Sequence, residues 1–405
     1  MSRGNDSPAM VFDQARCAPY IPRMGFTQGE HWLKRAGFRW IGQSAPRPFS
    51  RPTGADLRNV RKILVIRLDD RIGNAVLITP LLISLKNAFS KACVHCLISK
   101  RLSGLAEFLP SVDQYIWYDK RSYARNPLLL WGLVRRLRNE EFDLVIDASD
   151  ELELSFNHAV TTAYSGGRFR VGYDRRGSAR WLDVPVPPGD PTRHAVDMHL
   201  DLLRALVPVE FAPRPLMDTS RVNSFGAEFR TRHALTPGEP LVIIHPGGRG
   251  PKRWPLPRFL NLAQDIVDRL SARPVFIWGP AEESLVNTAR AGAHPGVLWA
   301  GILSFADLIS LLRTAAAYLS NDNGIMHLAS GCGVPTIGIF VVSNAAKYRP
   351  LGVLDCAFDE SIAPVRNEDI IDALRGVIGS TVTESTVGTL RNVEGKNAPG
   401  SQSRN

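Results

Sequence analysis

Two Rossmann-like α/β domains, with parallel sheets facing a central cleft, are what this sequence predicts, and three observations predict them. At 405 residues with 44% hydrophobic content, the chain exceeds one ordinary core and holds enough apolar residues for two. Short apolar runs alternate with helical patterns through most of its length, the rhythm of βαβ units in a parallel sheet. Midway, the Pro-studded stretch Val207-Pro208-Val209-Glu210-Phe211-Ala212-Pro213-Arg214-Pro215 interrupts that rhythm as a linker would.

The first series opens with a strand over Lys62–Arg67, a helix around Val76–Phe89 and a strand over Cys93–Ile98. Pro80 lacks an N–H, so the helix must start near it or bend there. Gln114–Tyr118 reads as a strand, and Leu128–Arg138 as a helix on the spacing of Leu130, Trp131, Leu133, Val134 and Leu137. Phe142–Asp147 is the next strand. The second series runs through strand Leu241–His245, helix Leu256–Leu270, strand Val275–Gly279, helix Glu282–Ala291 and strand Val297–Ala300. It ends with helix Phe305–Thr314 and strands Ala316–Ser320 and Pro335–Phe340. The expected organisation is a basic, poorly ordered extension over 1–58, a first domain over 59–215, a second over 216–379 and a disordered tail over 380–405.

Composition narrows the class. No apolar run is long enough to cross a bilayer and the first residues lack the pattern of a secretory signal, so a cytoplasmic protein is expected. Five scattered cysteines make no disulfide framework, and Cys93 and Cys96, three apart in a strand, point to opposite faces. The formal charge of +10 is uneven, with nine Lys/Arg against four Asp/Glu in residues 1–60. Helical spacing over His31–Ile41 would gather Trp32, Leu33, Ala36 and Trp40 on one side and Lys34, Arg35 and Arg39 on another, a pattern suited to an anionic membrane surface. Nothing in the pattern calls for nucleic acid.

Chemistry is expected at strand ends. In His245-Pro246-Gly247-Gly248-Arg249-Gly250-Pro251-Lys252-Arg253-Trp254-Pro255 three glycines permit close approach of a ligand while Lys252 and Arg253 supply charge, which describes a diphosphate cradle. It is neither a Walker loop nor a dinucleotide fingerprint. Ser320-Asn321-Asp322-Asn323-Gly324-Ile325-Met326-His327 carries a strand into a helix, placing Asp322 where it could bind ligand hydroxyls or orient Lys252. His327, on the first helical turn, reads equally as a ligand contact or as a hydrogen-bonded core histidine. Arg67-Leu68-Asp69-Asp70-Arg71-Ile72-Gly73-Asn74 ends the first strand with two carboxylates, either of which could serve as a general base. Glu282, after Trp278-Gly279-Pro280, lies where a ribose would. No H-x-x-x-H or D-x-D suggests a metal site, since Asp147 and Asp150 form D-x-x-D, so no metal or cofactor is expected.

These loops, in this order, resemble the heptosyltransferases of glycosyltransferase family 9 from roughly Arg61 to Pro350. The matching pieces include Lys62–Asp69 with Arg71-Ile72-Gly73, Thr79-Pro80-Leu81-Leu82, Arg170-Val171-Gly172-Tyr173 and His245-Pro246-Gly247. Lys252-Arg253-Trp254-Pro255, Asn321-Asp322-Asn323-Gly324 with Met326-His327-Leu328-Ala329, and Gly333-Val334-Pro335 continue it. The resemblance implies a GT-B fold and an inverting transfer from a nucleotide sugar, ADP-heptose, to a lipopolysaccharide inner-core or related glycolipid, on the cytoplasmic side of the inner membrane. It implies that His245, Gly247, Gly248, Arg249, Lys252, Glu282, Asp322, Asn323, Gly324, Met326 and His327 bind the donor. Lys252 would match the diphosphate lysine and Glu282 the ribose carboxylate.

One departure matters. The family commonly reads Gly-Asp where this chain has Gly73-Asn74, and a carboxamide cannot take a proton. The loop holds an additional acid, and Asp70 is the favoured replacement over Asp69. The alternative is a catalytically silent protein that binds a nucleotide sugar or glycolipid.

Overall fold

In this computed structural model residues 50–379 are described, apart from 153–154, 176 and 209–210, together with 37, 39, 41 and 43–45. The expectations for the tail over 380–405 and for most of the extension lie outside the described residues; of the expected His31–Ile41 helix only 37, 39 and 41 are described, each helical. Residues Gly54–Arg58, expected within the extension, form a helix, because Thr53 and Asp56 close a reciprocal cap and Asp56 pairs with Arg168 at 2.6 Å.

Among the described residues, twelve strands form two six-stranded sheets, all of whose neighbouring strands pair in parallel. The first comprises β1 (Lys62–Arg67), β2 (Cys93–Ser99), β3 (Gln114–Tyr118), β4 (Leu144–Asp147), β5 (Phe169–Tyr173) and β6 (Val184–Val186) in the order β3-β2-β1-β4-β5-β6. The second comprises β7 (Leu241–His245), β8 (Arg273–Ile277), β9 (Leu298–Gly301), β10 (Ala317–Asn321), β11 (Thr336–Phe340) and β12 (Cys356–Asp359), in the order β12-β11-β10-β7-β8-β9. Counted within each half, the two orders are the same: the first strand lies between the second and the fourth. Strand order therefore reverses between β1 and β4 and between β7 and β10, and ligands bind α/β sheets at such switch points.

Strands β1, β2, β4, β5, β7, β10 and β11 are buried almost throughout, as sheets covered on both faces require. The segment expected as one helix around Val76–Phe89 is two, Ile72–Leu77 and Thr79–Ala88, with Pro80 in the first turn of the second, where its missing N–H has no role. Strand β5 carries a charge through the core: Arg170, 2% exposed, donates from Nε to Asp183 at 2.9 Å.

The halves share a core. Ala75, Val76, Ile98, Leu105 and Phe108 of the first pack in one cluster with Met326, Leu328, Ala329 and Phe340 of the second. The linker is fastened to both sides, since Leu216 N donates to Thr79 Oγ1 at 3.1 Å and Met217 N to Gly331 O at 2.9 Å. Across the same interface His194 Nε2 lies 2.9 Å from Arg349 O, and Glu151, buried, faces Lys347 Nζ at 3.7 Å.

The halves also meet closely through the helices Ile72–Leu77 and Gly324–Gly331, near their amino ends. A Cβ on Gly324 would lie 2.7 Å from the Gly73 nitrogen and 2.8 Å from Ile72 Cβ. A Cβ on Gly73 would lie 3.0 Å from the His327 ring and 3.3 Å from Gly324 Cα. Gly324→Ala should therefore cost about 1–3 kcal/mol of unfolding free energy in urea titrations, because backbone cannot yield as a flexible side chain would. Gly132→Ala, where a Cβ meets nothing within 4 Å in a helix interior, should instead be neutral or stabilise by up to about 1 kcal/mol.

Candidate active site

Loops after β1, β7 and β10 converge where the two halves touch. Asn321, the last residue of β10 and fully buried, ties the glycine-rich loop to its own strand: Nδ2 donates to Pro246 O at 2.8 Å and Gly247 O at 3.2 Å, and Oδ1 accepts from Trp254 N at 2.8 Å. Asn323 does two tasks. Its Nδ2 donates to Gly247 O at 3.2 Å, while its Oδ1 caps the Gly324–Gly331 helix by accepting from Ile325 N and Met326 N. The loop cannot carry side chains at its base, since a Cβ on Gly247 would sit 2.6 Å from His245 Nε2, and Gly250 has φ +52°.

Within this frame Lys252 Nζ meets Asp322 Oδ2 at 2.6 Å. The carboxylate is almost buried while the lysine side chain remains 37% exposed, so the ammonium can meet a further anion from the cleft side. Asp322 precedes a helix start, where the backbone dipole favours negative charge. Arg253 donates from Nε to Gly248 O at 2.6 Å and reaches Glu282 Oε1 at 3.3 Å, which fixes that carboxylate beside Gly247 and Gly279. Arg249 is exposed.

His245 is buried with Nδ1 3.2 Å from the Tyr318 hydroxyl; burial pushes its imidazole down to about 4, only partly countered by Asn323. Burial likewise lowers His327, which Asp322 partly opposes. Both rings are therefore neutral near pH 7. The Met326 side chain does not join the site: it packs in the shared core, its sulfur close to Gly338.

The two neighbouring acids of the first loop diverge. Asp69 accepts from Asn74 Nδ2 at 2.9 Å and Arg71 N at 3.0 Å through Oδ1, and its Oδ2 lies 2.6 Å from Nε of the buried Arg67. Burial works to raise its carboxyl, but the Arg67 charge and the hydrogen bond from Asn74 outweigh it and hold Asp69 below the usual carboxylate range. Asp70 turns away to accept from the Ser99 hydroxyl and Arg101 Nη1. It lines an open groove with Lys100, Arg101, Tyr118, Lys120 and Arg121. Sequence reasoning did not find this groove, because its cations come from two separate strand ends. Asp147 of the D-x-x-D is taken up by Arg175 Nη2 at 2.8 Å and by Ser149.

Two Rossmann-type sheets whose switch points meet where the halves touch, beside a lysine–aspartate pair, make a GT-B fold. Residues 130–369 match the family model for glycosyltransferase family 9 (heptosyltransferase), and the chain belongs to that family. It is 23% identical over 266 residues to the lipopolysaccharide core heptosyltransferase OpsX of Haemophilus influenzae, covering 64% of this chain and 73% of that one. It is 26% identical over 301 residues to lipopolysaccharide heptosyltransferase 1 of Pseudomonas aeruginosa, covering 70% and 79%. Among solved structures, the family 9 glycosyl transferase of Veillonella parvula superposes with a TM-score of 0.70 at 21% identity, over 80% of this chain and 99% of that one. Escherichia coli ADP-heptose lps heptosyltransferase II gives 0.65 at 17% identity, over 79% and 99%.

Buried neutral histidines make stability depend on pH with a definite sign. Burial holds His158 and His245 at about 4 and His199 at about 3, against 6.5 for the free side chain. The unfolded chain therefore binds protons first, so this contribution is full above pH 6.5 and is lost as pH falls through 6.5 toward 4. Each such histidine adds about 1.4 kcal/mol per pH unit to the slope within that window. Urea midpoints should fall steadily from pH 7 to pH 5; a flat profile would contradict the burial of these rings.

Proposed function

We propose that this chain moves a heptose from ADP-heptose to an inner-core lipopolysaccharide or related glycolipid acceptor, with inversion and without a metal ion. The observation that carries the reading is the Lys252–Asp322 pair at the Gly73–Gly324 contact, which sets a diphosphate-seeking cation beside the acid-bearing loop of the other half. The relatives' names support the donor and acceptor classes, and so does a solved family structure described as Escherichia coli heptosyltransferase WaaC with ADP. The basic groove beside Asp70 suits an anionic acceptor.

In the reaction an acceptor hydroxyl oxygen attacks the anomeric carbon, a base takes its proton, and the bond from that carbon to the diphosphate breaks with both electrons leaving on the nucleotide. Lys252, Arg253 and loop N–H groups would meet the charge that develops on the leaving group. Glu282 would hold the ribose, with His245, Gly247, Gly248 and Arg249 shaping the diphosphate path and Asn323, Gly324, His327 and the Met326 backbone closing the sugar end. The base is Asp69 in this reading, because Asn74, at the position of the family's usual acid, donates to it at 2.9 Å, whereas Asp70 is turned toward Ser99 and Arg101. Asp70, bound to Ser99 and Arg101, serves the acceptor groove.

Asp69→Asn should lower kcat by about 10²–10⁴-fold, the range of general-base catalysis. Asp70→Asn should chiefly raise KM for acceptor; the reverse pattern would assign the base to Asp70. Turnover should persist in EDTA. ADP-heptose at a hundred times its Kd should add about 2.7 kcal/mol of stability, and Lys252→Ala should abolish that gain. The presence of Asn74 in place of an acid favours a second reading, a binding protein; stabilisation by donor with no transfer to any acceptor would select it.

A further inference from the structure

The helix Pro127–Asn139 buries Leu130, Leu133, Val134 and Leu137 against the first domain and presents a different stripe outward. Leu128 is 74% exposed, Leu129 46% and Trp131 42%, all in its first two turns. Arg135, Arg136 and Arg138 are exposed on its last turns. The preceding helix, Lys120–Arg125, adds Lys120, Arg121 and Arg125, also exposed. None of these six cations forms an ion pair among the described residues. Of the nearby acids, Asp119 is occupied in capping the Lys120–Arg125 helix and Glu140 pairs with Lys62, while Glu141, exposed just beyond the helix, is outnumbered by the six cations.

Two further features fall on the same face. Ile41, fully buried, sits in the cluster beneath this helix, and Ser44 Oγ lies 2.6 Å from the hydroxyl of Tyr164, whose ring packs edge-on to Trp131 at 5.6 Å. Residues Ile41 and Ser44 thus pack against the domain here. Lys120 and Arg121 also line the groove beside Asp70, so the face and the groove adjoin.

We propose that this face is a docking surface for an anionic lipid bilayer, with Leu128, Leu129 and Trp131 entering the interface and Arg135, Arg136 and the Lys120–Arg125 cations meeting headgroup phosphates. Apolar side chains at one end of a helix and unpaired arginines at the other match the layering of a bilayer surface, hydrocarbon beneath and negative charge above. Trp is favoured at that boundary. A second copy of the chain is the poorer occupant, because a two-fold contact through this patch would set six unpaired cations against six. Docked in this way, the enzyme would hold its acidic groove residue, Asp70, near the headgroup layer where a glycolipid acceptor presents its sugars. That last step rests on the sugar-transfer reading; the docking itself does not.

The test uses the full chain and vesicle flotation. The protein should rise with phosphatidylglycerol-containing vesicles, and about tenfold less with phosphatidylcholine alone or in molar salt, where screening shortens to about 3 Å. Leu128→Ser with Leu129→Ser should reduce flotation at least about tenfold, and Arg135→Gln with Arg136→Gln should weaken it and flatten its salt dependence. Thermal stabilisation by ADP-heptose, measured on each variant, should match the parent, which separates a docking defect from misfolding or from failure of the donor reading. Unchanged flotation of the leucine variant overturns the proposal, as does absence of flotation in the parent. A concentration-dependent dimer in sedimentation velocity that the leucine variant dissolves would also overturn it, by assigning the face to self-association.

Discussion

Everything at the site depends on two backbones approaching more closely than side chains allow. Gly73 and Gly324 belong to different halves: a Cβ on Gly324 would collide with the Gly73 main chain, and one on Gly73 would press on the His327 ring and Gly324 Cα. Because each glycine lies at a helix start that follows a switch-point strand, closing that one contact brings three loops together: the acids after β1, the cradle after β7 and the capped turn after β10. The two helices also bury apolar faces in one cluster that spans both halves. A large shared core is what makes two domains behave as one body at the cleft.

Rigidity within the second half comes from amides. Asn321 and Asn323 together use four hydrogen bonds to bind the glycine loop and two more to cap a helix, so the loop that carries Lys252 has little freedom. That explains the residue types. An aspartate at either position could accept but not donate to the carbonyls of Pro246 and Gly247, and would place extra charge beside Asp322. A preorganised cradle spends less binding energy on ordering itself when charge develops on a leaving group.

Much of the fold was legible because buried parallel strands and amphipathic helices write regular patterns: β3, β7 and the Leu256–Leu270 helix fall where the spacing predicts. Strand β5 was harder to read as a strand, since Arg170 sits second in it, and the partners that make that charge compatible with a core, Asp183 and the Ala163 carbonyl, lie elsewhere in the sequence. The break at Ile78 was signalled by Pro80, though the short Ile72–Leu77 helix was not, because its first three residues lie in what reads as a loop motif. At the site, the Lys252 and Asp322 loops were recognisable from glycine and charge. The division of labour between Asp69 and Asp70 was not. Adjacent acids are equivalent in a sequence, and what distinguishes them is Ser99 and Arg101 on one side and Arg67 and Asn74 on the other.

The pair formed by Glu151 and Lys347 spans the boundary between halves without direct hydrogen-bond contact, at 3.7 Å, and burial raises the glutamate carboxyl despite the lysine. A carboxylate so placed forgoes hydration for as long as the halves remain together. Protonation removes that desolvation cost, so this boundary holds more firmly once the carboxyl is neutral. Proton binding and the cohesion of the two halves are in this way linked through a residue away from the Lys252–Asp322 pair.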